Sequence, residues 1–130
     1  MAIRIVQLGS PRHSNEGLRI GTVRRPPRGV PKADFAKRDF YDVWLPDLSP
    51  SADLVKEWLG ATDAKQRASS AKKFRREMNR AEPSRLLDLL AALSHESNVS
   101  VGCYCEDEST CHRSVLRALL KERGAKIARA

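Results

Sequence analysis

The stretch VSVGCYCEDESTCHRSVLRALL, residues 99–120, contains the pattern that decides the fold. Alternate residues of its first part are apolar or small, as in a β-strand, namely Val99, Val101, Cys103 and Cys105. Its last part spaces apolar residues as an α-helix does, at Val115, Leu116, Leu119 and Leu120. A polar turn joins the two parts. A strand, a short turn and a helix in this order are typical of a parallel sheet in an α/β protein.

The rest of the chain alternates strands and helices in the same way. Runs of β-branched and aromatic residues predict strands at residues 3–8, 18–23 and 40–45, with a short last strand at Ile127. Apolar residues at helical spacing predict further helices at residues 50–60, 64–81 and 83–93. We therefore expect a small three-layer α/β sandwich, in which helices flank a mostly parallel sheet. Residues 1–130 are expected to form a single domain with a long, basic, Pro/Gly-rich loop at 9–32.

Composition limits the classes of function. The 24 Lys and Arg residues exceed the 16 Asp and Glu residues, and the formal net charge of +8 favours anionic partners. The three cysteines lie within nine residues, too few and too close for the disulfide framework of a secreted scaffold, so reduced thiols are expected. Apolar runs are too short for a membrane span, and the N-terminus lacks the pattern of a secretory signal. We expect a cytoplasmic protein without a membrane partner.

The densest chemistry lies where the predicted strand meets the predicted helix 111–123. Ligands of α/β sheets bind at the carboxyl ends of the strands. With Thr110 as the N-cap, Cys111, His112 and Arg113 occupy the first helical turn, where the helix dipole disfavours positive charge. An anion held by the free backbone N–H groups, Arg113 and His112 would remove that conflict.

Three interpretations of this segment stay open. In the first, it binds an anion or phosphate, with Cys111 as a nucleophile activated by the helix N-terminus, although the acids at 106–108 would repel an anion. In the second, Cys103, Cys105, Cys111 and His112 bind zinc. Same-face strand residues lie about 7 Å apart, however, whereas two thiolates on one zinc lie about 3.7 Å apart. In the third, the cysteines are small core residues and the turn is a solvated connection.

Two basic segments are further candidates for phosphate contacts. The loop 24–32 carries Arg24 and Arg28 among prolines, and a guanidinium offers phosphate a planar fork of donors. Basic residues also repeat every four positions of the predicted second helix, at Lys72, Arg76 and Arg80. A solvated charged face is the simpler interpretation of that repeat, and a nucleic-acid face is the alternative.

Several short segments form an ordered set, namely Gly17-Leu18-Arg19, the basic segment 24–32, Asp42-Val43-Trp44-Leu45, Leu48-Ser49-Pro50-Ser51, Phe74-Arg75-Arg76-Glu77-Met78 and Cys111-His112-Arg113-Ser114. Spanning residues 17–124, this set resembles the YeaO-like branch of the bacterial family known as domain of unknown function 488. Val23 and Pro26 depart from it, because an acidic residue and a Trp are usual there. The resemblance implies a compact α/β domain and no particular reaction.

The sequence therefore predicts an electropositive cleft between the 24–32 loop and the start of the 111–123 helix, which binds an anionic, phosphate-bearing ligand. Four residues are predicted to contact it: Arg24, Arg28, Arg113 and Ser114. The expected partner is an anionic small molecule or a nucleotide, with nucleic acid as a further candidate. One alternative is an enzyme acting on nucleotides or nucleic acid, with Cys111 and His112 as catalytic residues. The other is a small metal-binding protein built on the cysteine and histidine residues, although the strand spacing leads us to expect no metal. Neither a cofactor nor an oligomeric state follows from the sequence.

Overall fold

The computed structural model describes residues 1–129, and these contain a four-stranded, entirely parallel sheet. Its strands are β1 (Ile3–Gln7), β2 (Leu18–Gly21), β3 (Val43–Trp44) and β4 (Val99–Cys103). They lie in the order β1-β4-β2-β3. The last strand of the chain thus pairs with both of the first two, so its carboxyl end lies in the middle of the sheet. This places the end of β4 where α/β proteins bind ligands.

The α-helices pack together against one face of the sheet. They are α1 (Ala52–Leu59), α2 (Ala64–Met78), α3 (Ala81–Leu93) and α4 (His112–Glu122). One hydrophobic core joins the sheet to the helices. It contains strand residues such as Ile3 and Val101 and helix residues such as Phe74, Leu87 and Leu116. Each such buried side chain stabilises the fold by about 1.5–3 kcal/mol. The predicted α/β fold is confirmed. None of the helices in residues 1–129 is both long and apolar enough to cross a membrane.

The irregular parts of the segment 9–42, before and after β2, cover the opposite face of the sheet. The Tyr41 ring lies against Gly21 of β2, where an added Cβ would come within 2.4 Å of a ring carbon. Phe35 packs edge-on against Tyr41, with ring centroids 5.2 Å apart. The predicted strand 40–45 is therefore wrong in extent, because the aromatic residues at its start cover the sheet and only Val43–Trp44 pair with it. The layer on this face contains the 3-10 turn Lys32–Asp34 rather than an α-helix.

Three other element boundaries differ from the prediction. Helix α2 ends at Met78, and α3 begins at Ala81 rather than Pro83. Pro83 fits the third position of α3 because an N–H there would have no acceptor inside the helix. The predicted last strand at Ile127 is a single bridge to Ile3.

A buried ion pair fastens the 9–42 segment. The side chains of Arg19 and Glu16 are 0% and 1% exposed, and Arg19 Nε and Nη2 donate to the two carboxylate oxygens at 2.5 and 2.9 Å. Arg19 Nη1 donates to the carbonyl oxygens of Ser10 and Asp39, at 2.8 and 2.6 Å. Burial raises the pKa of Glu16, but hydrogen bonds from Arg19 and the His13 backbone outweigh it, and the pKa lies below the ordinary 4.5. The pair stays ionised and joins both ends of the segment.

Gly17 brings this ion pair against the sheet. Its φ is +71°, and an added Cβ would lie 1.8 Å from the Asn98 carbonyl oxygen. Only glycine adopts such a conformation without steric cost and allows so close an approach. Next to this contact, the Ser100 hydroxyl of β4 donates to the Glu16 carbonyl oxygen at 3.0 Å.

We predict that Arg19→Met lowers the free energy of unfolding by about 3–5 kcal/mol at pH 7, because it leaves the Glu16 carboxylate buried without a partner. Urea denaturation measures this loss. The matched control is Arg12→Met, since Arg12 pairs with Asp39 and Asp42 but its side chain is 25% exposed. That change should cost about 1 kcal/mol or less. Equal losses in the two variants would contradict the role given to the buried pair.

Candidate functional site

The candidate site lies at the carboxyl end of β4. After Cys103 the chain turns through the 3-10 turn Glu108–Thr110 before α4 begins. Asp107 stabilises this turn, because its carboxylate accepts hydrogen bonds from Ser109 N at 2.9 Å and Ser109 Oγ at 2.7 Å. Residues 108–110 belong to this 3-10 turn, so the N-cap of α4 is Cys111. The prediction that Thr110 is the N-cap is wrong. His112, Arg113 and Ser114 form the first turn of the helix.

Three thiols meet here. Cys103 Sγ and Cys111 Sγ lie 2.6 Å apart, and Cys105 packs against the group of buried side chains that contains both. The strand-spacing argument kept Cys103 and Cys105 apart, but β4 ends at Cys103 and Cys105 already lies in the turn. With the adjacent imidazole of His112, these residues form what we call the thiol–imidazole cluster.

The imidazole of His112 is held in one orientation. Its Nε2 donates to the Thr22 carbonyl oxygen at 2.8 Å, and its ring packs edge-on against Phe74, with centroids 5.5 Å apart. A carbonyl oxygen can only accept, so the proton of the neutral ring sits on Nε2. The unprotonated Nδ1 then lies 3.6 Å from Cys111 Sγ. It can accept the proton of that thiol, as a base does beside a nucleophilic cysteine.

Arg113 supplies positive charge beneath the cluster. The residue is 3% exposed, its Nη2 donates to the Cys105 carbonyl oxygen at 2.5 Å, and it forms no ion pair with a carboxylate of residues 1–129. A buried cation needs a counter-charge nearby. Hydrogen bonds from Cys103 and Cys111, together with the charge of Arg113, lower the pKa of Cys105. Hydrogen bonds to Cys105 and Cys111, together with burial, raise that of Cys103. The pKa of Cys111 is lowered as well, chiefly by its hydrogen bond with Cys103. A thiolate on Cys105 would balance the charge of Arg113.

A cavity of about 760 Å³ opens above the thiol–imidazole cluster. We call it the central cavity. Its walls are mainly apolar and come from the ends of the strands and from α1, namely Val23, Pro50, Val55, Trp58 and Leu59. Four basic residues also line it: Arg24, Arg25, Lys56 and Arg67. Among the described residues, no acidic side chain does. Glu108 of the turn pairs with Arg117 instead, at 2.5 Å, so its charge is balanced outside the cavity.

The residues predicted to contact a ligand are only partly brought together. Arg24 lines the central cavity, with its Nε and Nη2 donating to the carbonyl oxygens of Pro50 and Ser49. Arg28 is exposed and does not line the cavity, because only residues 24 and 25 of the basic loop reach it. Arg113 and Ser114 lie under the cluster, where the Ser114 hydroxyl donates to the Cys111 carbonyl oxygen at 2.8 Å. The predicted cleft between the 24–32 loop and the helix is therefore corrected to a cavity between that loop's first residues, α1 and the cluster.

The cluster also has the donor types of a metal site. One ligand atom each from Cys103, Cys111 and His112 lies within 4.8 Å of the others. The Nε2 bond of His112 to a backbone carbonyl is the usual second contact of a metal-binding histidine. Two thiolates on one zinc, however, stand about 3.7 Å apart, so the pair at 2.6 Å would have to separate.

The basic residues predicted for the second helix lie elsewhere on the surface, and Arg80 is the N-cap of α3 rather than a residue of α2. Lys72, Arg76 and Arg80 are exposed and form no ion pair with a carboxylate of the described chain. Glu77 does not neutralise them, because its carboxylate accepts from the backbone N and Oγ of Ser51, at 2.8 and 2.6 Å. The carboxylate thereby supports the start of α1.

Several residues of the site were missed from the sequence. Thr22, which orients His112, acts through its backbone and leaves no signal in the residue type. Trp58 and Phe74 were predicted only as apolar helix positions, although both rings pack on His112. No sequence motif identified Lys56 or Arg67 as residues of the site. The one usable signal was the doublet Arg24-Arg25, whose second member also lines the central cavity.

We predict that Arg113→Met raises the pKa of Cys105, since the variant loses a positive charge that stabilises the thiolate. The rate of Cys105 alkylation by iodoacetamide, followed against pH by peptide mass spectrometry, should show a midpoint higher by at least about 1. Arg117→Met is the control, because Arg117 pairs with Glu108, and it should leave the midpoint unchanged. An unchanged midpoint in Arg113→Met would show that the charge of Cys105 does not depend on Arg113.

Comparisons with known proteins agree with this architecture. A family model described as the active DUF488-N3 subclade matches residues 3–124. These residues include the four strands, the four α-helices and the whole thiol–imidazole cluster. No curated protein and no solved structure gives a significant match. The finer YeaO-like assignment stays a prediction. Over residues 3–124, the chain belongs to the DUF488 family.

Proposed function

We propose that the central cavity binds a small anionic molecule that carries a phosphate group. Four basic side chains line the cavity and no acidic one does, within the part of the chain described. This imbalance is the observation that carries the proposal. Arg24, Arg25, Lys56 and Arg67 form no ion pairs with carboxylates of residues 1–129. Asp107 interacts with Arg67 through its charge, and the surplus of positive charge that is left attracts an anion.

The shape of the cavity supports a ligand that is more than an inorganic ion. Its volume of about 760 Å³ falls within the range of small-molecule sites, about 300–1,000 Å³. The apolar wall of Val55, Trp58 and Pro50 offers a surface for an aromatic or aliphatic body. A ligand with a phosphate for the basic side of the cavity and a planar group for this wall is a molecule of the nucleotide class.

The proposal predicts that adenosine 5′-monophosphate raises the thermal midpoint of the protein more than inorganic phosphate or ribose 5-phosphate at equal concentration. A probe at 100 times its Kd stabilises the folded state by about 2.7 kcal/mol. The double variant Arg25→Gln/Arg67→Gln should bind about tenfold or more weakly, because a hydrogen bond to a charged group contributes about 1.5–3 kcal/mol. Thermal melts across a concentration series measure both effects.

Arg28→Gln is the matched control for this titration. Arg28 belongs to the same basic loop but does not line the cavity, so its variant should bind like the wild type. An equal loss in Arg28→Gln would move the site to the outer loop. A wild-type midpoint that no probe changes at millimolar concentration would contradict the proposal.

An enzyme acting on such a ligand is the second candidate function. The observation that favours it is the 3.6 Å approach of His112 Nδ1 to Cys111 Sγ at the cavity floor. The imidazole would take the thiol proton, and the thiolate would attack an electrophilic centre of the bound nucleotide or nucleic acid. In that case Cys111→Ser should retain binding in the titration and abolish turnover.

A further inference from the structure

The three thiols are arranged for chemistry with one another. Cys103 Sγ and Cys111 Sγ are 2.6 Å apart, not far beyond the length of a disulfide bond, about 2.05 Å. Cys105 packs against the group of buried side chains that contains both, and all three residues line the central cavity. All three are free cysteines. Neighbouring thiols of this kind can give up two electrons together by forming one disulfide.

The thiols differ in access to solutes. Cys105 is half-buried whereas Cys103 and Cys111 are buried, and all three line the central cavity. A small solute entering the cavity therefore meets Cys105 first. Arg113 donates to the Cys105 carbonyl oxygen and holds positive charge beside it. A thiolate with an adjacent cation and partial exposure is the kind of cysteine that oxidants attack.

We propose that the three thiols form a two-electron redox centre that reduces a small peroxide, with Cys105 as the attacking thiol and Cys111 as the resolving thiol. In the first step the Cys105 thiolate attacks one peroxide oxygen and the O–O bond breaks. Cys105 becomes a sulfenic acid, and the other oxygen leaves as an alcohol or water after taking up a proton. The peroxide is reduced by two electrons and the sulfur is oxidised by two.

In the second step, Cys111 forms the disulfide. Its proton passes to His112 Nδ1, which lies 3.6 Å away, and its sulfur attacks the Cys105 sulfur. An S–S bond forms, and the sulfenic hydroxyl leaves as water after taking up a proton. The balance is two thiols and one peroxide giving one disulfide, one alcohol and one water, or two waters from hydrogen peroxide. Cys103, in contact with Cys111, can then exchange into the disulfide and free Cys105. An external dithiol returns the two electrons.

The geometry favours this chemistry over a metal ion. Within the described residues, the donors close enough to share one metal ion are Cys103, Cys111 and His112, and Cys105, the most accessible thiol, is not among them. The basic side chains that line the cavity also oppose the entry of a cation. A neutral peroxide needs no set of ligands and is not repelled by these side chains. The inference does not rest on the anion site, and its test contains no phosphate compound.

The test treats reduced, chelator-washed protein with one equivalent of hydrogen peroxide and counts the remaining thiols. Folded wild type should lose two thiols per chain at least about tenfold faster than the same protein unfolded in urea. Cleavage after Glu106 and Glu108 separates Cys105 from Cys111 along the chain. The disulfide should therefore hold the two fragments together until a reductant is added.

Variants assign the roles. Cys105→Ser should slow oxidation to the rate of the unfolded chain. Cys111→Ser should remove the fragment cross-link and leave a sulfenic acid at Cys105 that dimedone captures. Cys103→Ser is the matched control, because it removes a thiol of the same cluster and should retain the cross-link. The comparison of folded with unfolded wild type stands even if a variant fails to fold.

Two results would overturn the proposal. One is oxidation of the folded protein no faster than that of the unfolded chain. The other is stoichiometric zinc in the protein as purified, with thiols that react only after a chelator removes it, which would make the cluster a metal centre.

Discussion

The guanidinium of Arg19 holds together a part of the chain that has almost no regular structure. The segment 9–42 runs over one face of the sheet, and its two ends reach the same side chain, through the carbonyl oxygens of Ser10 and Asp39. The Glu16 carboxylate balances the charge from within the segment. Taking two charges out of water is costly, but here almost every donor and acceptor has a partner. The pair therefore selects one conformation for a segment whose length would otherwise allow many.

The functional site depends on that selection. Strand β2 contains Arg19 of the ion pair and lies between β3 and β4, so its last residues reach the middle of the carboxyl edge. There the Thr22 carbonyl oxygen fixes the ring of His112, and Val23, Arg24 and Arg25 form part of the cavity wall. The helical side contributes Trp58, Lys56 and Arg67. The central cavity is thus assembled from two halves that meet only because the irregular segment is held on the sheet.

Much of this could be predicted from sequence, and the rest could not for identifiable reasons. Apolar spacing predicted the helices, and alternation in residues 99–103 predicted the central strand. The position of cysteine and histidine residues at a strand's carboxyl end predicted where the site lies. The close approach of Cys111 to Cys103 could not be predicted, because it depends on the path of the turn after β4, which ends at Cys103, two residues earlier than alternation suggests. The role of Arg19 was missed as well. A lone Arg between Leu18 and Ile20, three residues after Glu16 and two after a glycine, is the pattern that could have indicated it. Phe40 and Tyr41 have strand propensity but cover the sheet instead, since tertiary packing outweighs intrinsic preference.

The central claim is that the Arg19–Glu16 pair holds the 9–42 segment, which contains β2, against the rest of the sheet and the helices. Amide hydrogen exchange in the double variant Glu16→Leu/Arg19→Met tests this most directly, because the variant removes the hydrogen bonds without leaving an unpaired buried charge. The account predicts exchange at least about tenfold faster than in the wild type for residues 9–22 and 39–42, with α2, α3 and α4 still protected. Unchanged protection of the segment would contradict it, and so would a uniform loss of protection across the whole chain.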